Sequence, residues 1–235
     1  MKKKIKDGSL YFHQKDILRP IGTVLLPVGL VCLYLGWNFS YLAYIVATIT
    51  IPVGFVFFMV GGAKIISDSD IVEQMEHAMV DYDKSVTDMV GYDRIVLKQP
   101  APVEISAYHF GDKAKYFKKG KNGTPISDRY TRSHVFFTKE SVMIVSRTIS
   151  IAELNEAEGI GISDLSEHIA FTSIRSASLM EYDTTVTLTN TGKPLTVKWC
   201  ELVLQGEEGE ILRIPTKNDM DASSLVDDIN RRCGR

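Results

Sequence analysis

Not one Asp, Glu, Lys or Arg occurs from Pro20 to Ala63, a run of 44 residues in a chain of 235 that is 24% charged overall. A wholly soluble domain scatters charge over every exposed helix and strand, so this gap excludes one. Cysteine is scarce too: Cys32 lies in the uncharged run, Cys200 and Cys233 lie far downstream, and three such residues imply no disulfide framework. No Ser, Cys or Asp stands in a recognised nucleophile setting, and His13, His77, His109, His134 and His168 occupy unrelated contexts. Gly159-Ile160-Gly161 lacks the Lys and Ser or Thr of a phosphate loop. The sequence thus predicts no catalytic residue, no metal site and no cofactor. Past Ala63 there are 21 cations and 27 anions, a balance of −6 that argues against nucleic acid as a partner.

What fills the uncharged run is apolar. Ile21 to Trp37 and Leu42 to Ala63 are separated by the tight-turn length Asn38 to Tyr41. As helices they measure roughly 25 and 33 Å, against a hydrocarbon core of about 30 Å. A membrane hairpin is expected over 20–63. Lys2, Lys3, Lys4 and Lys6 resemble the basic start of a signal peptide, but no small-residue cleavage site follows Gly36 and a second apolar run comes at once. Basic residues near a span are retained in the cytoplasm. The arm 1–19 also carries Lys15 and Arg19, Lys64 closes the second span, and the turn has no cation, so both termini are expected at the cytoplasmic face of the inner (plasma) membrane. Small residues recur every seventh position, Gly22, Gly29 and Gly36 on one helix and Ala47, Gly54 and Gly61 on the other. Such stripes let helix backbones approach closely in lipid. No ionisable side chain lies in either span, so the hairpin reads as an anchor and not as an ion or proton path.

Residues 64–101 form an amphipathic helix and linker. Ser67-Asp68-Ser69-Asp70 supplies capping oxygens and first-turn acids, and Ile71, Met75, Ala78, Tyr82, Ser85 and Met89 make one stripe. The stripe either docks on the following domain, the favoured reading, or pairs with a second copy as a short coiled coil. Glu73 and His77 are one turn apart and provide at most two ligands, fewer than a metal site needs.

From 102 to 235 short apolar segments alternate with Gly, Asn and charged turns. Strands are expected at Val103 to Phe110, His134 to Thr138, Ser141 to Ser150, Ile169 to Glu181, Thr184 to Asn190, Leu195 to Gln205 and Glu210 to Pro215. Leu195, Val197 and Trp199 are odd while Leu202 and Leu204 are even, which predicts a bulge near Cys200 or Glu201. A last helix, capped near Asn218 or Asp219, presents Ala222, Leu225, Val226 and Ile229 on one side.

In its order of elements, with His134-Val135-Phe136-Phe137-Thr138 and Ser141-Val142-Met143-Ile144-Val145 as the nearest local matches, this segment resembles the pleckstrin-homology-like (PH-like) domain of bacterial membrane proteins in which that domain follows transmembrane helices. The terminal helix lacks the tryptophan common in eukaryotic members. The resemblance implies an α+β chain with a transmembrane hairpin, a connecting helix and a seven-stranded antiparallel barrel closed by the C-terminal helix. It also implies that the connection after the first strand is where phosphoinositide-binding members hold a headgroup. Here Gly111 to Arg132 carries Lys113, Lys115, Lys118, Lys119, Lys121, Arg129 and Arg132 against Asp112 and Asp128. Two further loops expected at the same end are acidic, with Glu153, Glu156, Glu158, Asp164 and Glu167 in one and Glu207, Glu208 and Glu210 in the other, and offset that field within a Debye length of about 8 Å. The leading expectation is a membrane-anchored, noncatalytic interaction or scaffold protein that presents its cytoplasmic domain to a protein partner. A homo-oligomer is a further possibility. The alternative is an anionic-lipid sensor acting through the basic loop.

Overall fold

The computed structural model describes residues 8–13, 18–38, 40–62, 66–92, 102–154 and 161–234, with backbone only for 18–19, 60–62 and 87–92. The basic residues Lys2 to Lys6, Lys15 and Lys64, the acidic Glu156 and Glu158, and the surroundings of Gly61 and Met89 lie outside the described set. Two units make up the chain: His13–Ser67, and a second that joins Met1–Phe12 to Asp68–Arg235.

In the first unit the uncharged run folds as α2 (Leu18–Asn38) and α3 (Tyr41–Gly62), both long and apolar enough to cross a membrane. Pro27 and Pro52 are carried inside them. The helices pack through their small residues. A Cβ on Gly22 would lie 2.5 Å from the Phe58 nitrogen, and one on Gly36 would lie 2.5 Å from the Tyr44 nitrogen. Gly29 meets Ile51, Gly54 meets Leu25 and Leu26, and Ala47 is fully buried. Val24, Leu30, Val31, Leu42, Ile49 and Phe55 are exposed, an apolar exterior of the kind lipid favours.

The second unit holds Ser9 to Phe12 of the five-residue helix α1 (Ser9–His13), and Tyr11 and Phe12 are completely buried. Phe12 stacks on Tyr116, and the Lys118 ammonium sits 4.1 Å from the centre of the Tyr11 ring. Helix α4 (Asp68–Tyr92) lays Ala78, Met79, Tyr82 and Val86 against Phe136, Val145 and Ile149. Val86 takes the place expected for Ser85, which is exposed.

Nine strands follow, in three antiparallel sheets: β1 (Val103–Tyr108), β2 (Phe117–Lys119), β3 (Pro125–Ser127), β4 (Arg129–Phe137), β5 (Ser141–Ser150), β6 (Ile162–Ala170), β7 (Ser176–Thr187), β8 (Pro194–Gln205) and β9 (Glu210–Thr216). The sheets run β1-β4-β5-β6, β2-β3 and β7-β8-β9, and none closes into a barrel. The main core lies between the four- and three-stranded sheets, with Val135, Ile144, Leu202 and Leu204 packed on Leu225 and Ile229 of α5 (Met220–Arg232). Each of those two helix residues contributes about 1.5–3 kcal/mol by leaving water. Asp219 caps α5 by accepting from the Ala222 nitrogen at 3.0 Å.

Three strand expectations are corrected. The segment expected as one strand, Ile169 to Glu181, is the end of β6, a 3-10 turn at Phe171–Ser173 and the start of β7, which then runs through Asp183 without a break. β6 was hidden because an edge strand with Ser163, Asp164, Ser166 and Glu167 exposed has no apolar alternation; Asp164 and Glu167 therefore belong to a strand and not to an acidic loop. The bulge expected at Cys200 or Glu201 is absent: β8 pairs with β7 in unbroken register, and the irregularity lies at Leu204/Gln205 against β9. Parity changes because β8 serves two cores. Val197 packs on one face with Phe110 and Val186, and Leu202 and Leu204 pack on the other.

Candidate functional site

Of the seven basic positions singled out between Gly111 and Arg132, three are taken up by the fold. Arg132 is almost enclosed, and its guanidinium reaches Glu76 at 2.7 Å, Asp83 at 3.0 Å and Glu104 at 3.3 Å. It fastens α4 to β4 and β1. Lys118 is buried over Tyr11, and exposed Lys115 pairs with Glu153 at 3.4 Å. Lys113, Lys119 and Lys121 are exposed, and Arg129 is half-buried. Behind the loop, His109 donates to or accepts from Thr131 at 2.9 Å. Burial, with Lys113 and Arg129 nearby, pulls its pKa down to about 4, so the ring is neutral at pH 7. Burial also pushes the Asp128 carboxyl up, against the backbone N–H groups of Lys115 and Tyr116 that favour its charge.

A different place gathers chemistry that the sequence kept apart. Where the ends of β1 and β9 meet the middle of β7 and β8, a cleft of about 700 Å³ opens, with Thr124 and Pro125 of the β2-β3 hairpin on its rim. That size suits a small ligand or a short stretch of chain. Two ring pairs wall it. Tyr108 and Tyr130 face each other across β1 and β4 with centroids 5.1 Å apart, and Tyr182 stacks on Trp199 across β7 and β8 at 4.8 Å.

The polar ends of these rings are partly engaged. The indole N–H of Trp199 donates to Thr184 at 3.0 Å, and Arg213 donates to the Tyr182 hydroxyl at 3.2 Å while pairing with the buried Glu201 at 3.1 Å. Burial pushes the Tyr108 hydroxyl far above its usual range, helped by Tyr130 and Asp68, so it stays protonated. The lining also holds two acids and two lysines, Glu181, Asp183, Lys198 and Lys217. Asp183 is the register partner of Lys198, and Glu181 accepts from the Asn218 side chain. Their formal charges cancel.

None of these aromatic residues was singled out as a site from sequence. Trp199 read as one more inward position of an alternating strand, and its pairing with Tyr182, 17 residues earlier, is visible only once register is known. Among the described residues no three His, Cys, Asp or Glu side chains group as metal ligands. No protein-family model, no curated protein and no solved structure matches the chain.

Proposed function

We infer that this chain is a membrane-anchored, noncatalytic interaction protein that offers a PH-like domain to a protein partner at the cytoplasmic face of the inner membrane. The observation that carries the reading is the cleft: an aromatic lining with acids and lysines in equal number suits recognition of a partner. The PH-like assignment draws on strand order. With the β2-β3 hairpin treated as an insertion, the elements run four antiparallel strands, three antiparallel strands and a closing helix. Anchoring is supported by α2 and α3, and cytoplasmic orientation by the basic arm. Tethering to a bilayer raises effective concentration, so contacts too weak for a soluble pair suffice.

The test is photocrosslinking in intact cells, with benzoylphenylalanine at Asp183 on the cleft rim or at Lys119 in the basic loop. A discrete protein adduct from position 183 is expected. Adducts only to lipid, and only from position 119, would replace this reading with the anionic-lipid sensor, which the exposure of Lys113, Lys119 and Lys121 favours.

A further inference from the structure

Resting on that reading of the cleft, we propose that its occupant is an extended, uncharged segment of the partner, which seats one apolar side chain between the two ring pairs and runs its backbone along the outer edge of β1 at Tyr108. Three observations lead there. First, the lining carries no net charge: Glu181 and Asp183 are matched in number by Lys198 and Lys217. A phosphate or carboxylate ligand meets no net positive charge in this lining, and a basic peptide no net negative charge.

Second, the lining is rich in aromatic rings. With the Trp199 N–H given to Thr184 and the Tyr182 hydroxyl held by Arg213, these two side chains offer area and quadrupole more than hydrogen bonds. An aromatic or aliphatic side chain uses such a surface fully.

Third, the backbone groups of Tyr108 are turned away from β4. The His109 N–H donates to the Arg129 carbonyl at 3.0 Å, which continues the β1-β4 register and makes that pair a hydrogen-bonded one. Alternation then places Tyr108 opposite Tyr130 in a non-hydrogen-bonded pair, with its N–H and C=O directed away from β4. β1 is the edge of its sheet by hydrogen bonding, and β9, which lies near it, does not pair with it. A strand laid beside it gains backbone hydrogen bonds for affinity, while the ring-walled pocket supplies selectivity.

The full chain carrying Trp37→Phe has Trp199 as its single tryptophan, which reports on the cleft directly. In nanodiscs of neutral phosphatidylcholine it is titrated with the capped hexapeptide Ser-Thr-Val-Phe-Thr-Ser, with analogues bearing Ala, Lys or Glu in place of Phe, and with the analogue N-methylated at Phe. Saturable Trp199 quenching is expected, about fivefold or more tighter for Phe than for any replacement, and weakened by a similar factor on N-methylation. Tyr182→Ala and Tyr108→Ala are each expected to weaken it as much, with the circular dichroism unchanged. If either variant disturbs the fold, Lys198→Glu, which leaves the rings in place but adds charge, is expected to give the same loss. Equal affinity for Phe, Lys and Glu peptides, or tighter binding of soluble inositol phosphate than of the Phe peptide, overturns the inference. Crosslinking of a protein at Asp183 without this peptide selectivity sinks the inference and leaves the interaction reading standing; loss of both sinks both.

Discussion

The phenol of Tyr11 donates a 2.9 Å hydrogen bond to Oδ1 of Asp68, 57 residues further along the chain, while Oδ2 of the same carboxylate accepts from the Lys121 backbone nitrogen at 2.8 Å. The first of these bonds joins the segment before the hairpin to the segment after it. Tyr11→Phe removes one bond to a charged acceptor and is expected to lower the stability of the β unit by about 1–2 kcal/mol. Asp68→Ala strips both donors of their acceptor and is expected to lose more. Guanidinium unfolding in mild detergent, followed through Trp199 in the Trp37→Phe background, measures both variants. A coupling of about 1 kcal/mol in the double mutant is the expected signature of the direct contact.

That contact also constrains topology. Tyr11 and Asp68 belong to one unit, so if α2 and α3 both span, the two flanks of the hairpin lie on one side of the membrane. A maleimide that cannot cross the bilayer is expected to label Leu10→Cys and native Cys233 only after permeabilisation, and to label them together. Labelling of either one alone in intact cells contradicts the hairpin, and labelling of both contradicts its orientation.

Arg132 is the clasp on α4. Its side chain is 10% exposed and reaches three carboxylates from two other elements, whereas each of those acids is at least 40% exposed and can be rehydrated. Arg132→Ala is expected to cost about 2–4 kcal/mol, mostly as lost order in α4. Amide hydrogen exchange in residues 75–86 is expected to rise at least tenfold while β8 and α5 hold their protection. Arg132→Lys is expected to recover only part, because one ammonium cannot reach all three acids in the fork geometry of a guanidinium.

How far this was legible beforehand follows from which physical signals are local. The two apolar helices, the cap at Asp219 and the stripe Ile71, Met75, Ala78 and Tyr82 depend on spacing within one segment, and the folded chain has them. β6 was missed because an edge strand wet on both faces need not alternate, and the supposed bulge at Cys200 was a strand packing its two halves on opposite faces. The burial of Tyr11 and Phe12 left one trace, three apolar residues Leu10-Tyr11-Phe12 inside a charged arm, but their partner Tyr116 lies more than a hundred residues away. The cleft left none. Its walls are cross-strand pairs, and a pair exists only in a register.

His109 sets a pH dependence whose sign can be stated. Its folded pKa is about 4 against an ordinary 6.5, because the neutral ring is the one the interior tolerates. Above pH 6.5 the ring is neutral in both folded and unfolded chains, and its contribution is fully present. As pH falls from 6.5 toward 4 the unfolded chain takes up a proton that the folded chain refuses, and the contribution is progressively lost, by up to about 3 kcal/mol. His109→Gln retains a neutral partner for Thr131 and is expected to flatten that slope. The difference between wild-type and variant unfolding free energies, measured at pH 7, 6, 5 and 4.5, is expected to favour the variant increasingly as acid is added.

The hairpin offers the sharpest steric test. A Cβ at Gly22 or Gly36 would fall 2.5 Å from a backbone nitrogen of α3, and backbone cannot move aside as a flexible side chain can. Gly22→Leu and Gly36→Leu are therefore expected to push the helices apart, losing contacts that lipid does not replace with equal packing. Gly54 gives the readout: its ideal Cβ lies 3.0 Å from the Leu25 Cβ, inside the roughly 3.5 Å at which disulfide Cβ pairs begin, so a small give between the helices lets Leu25→Cys with Gly54→Cys, in a Cys32→Ser background, form a disulfide on mild oxidation. Adding Gly22→Leu or Gly36→Leu is expected to cut the crosslink yield at least severalfold. Substitution at Val24, which is 63% exposed, is expected to leave the yield unchanged, since an exposed position has room for a different side chain.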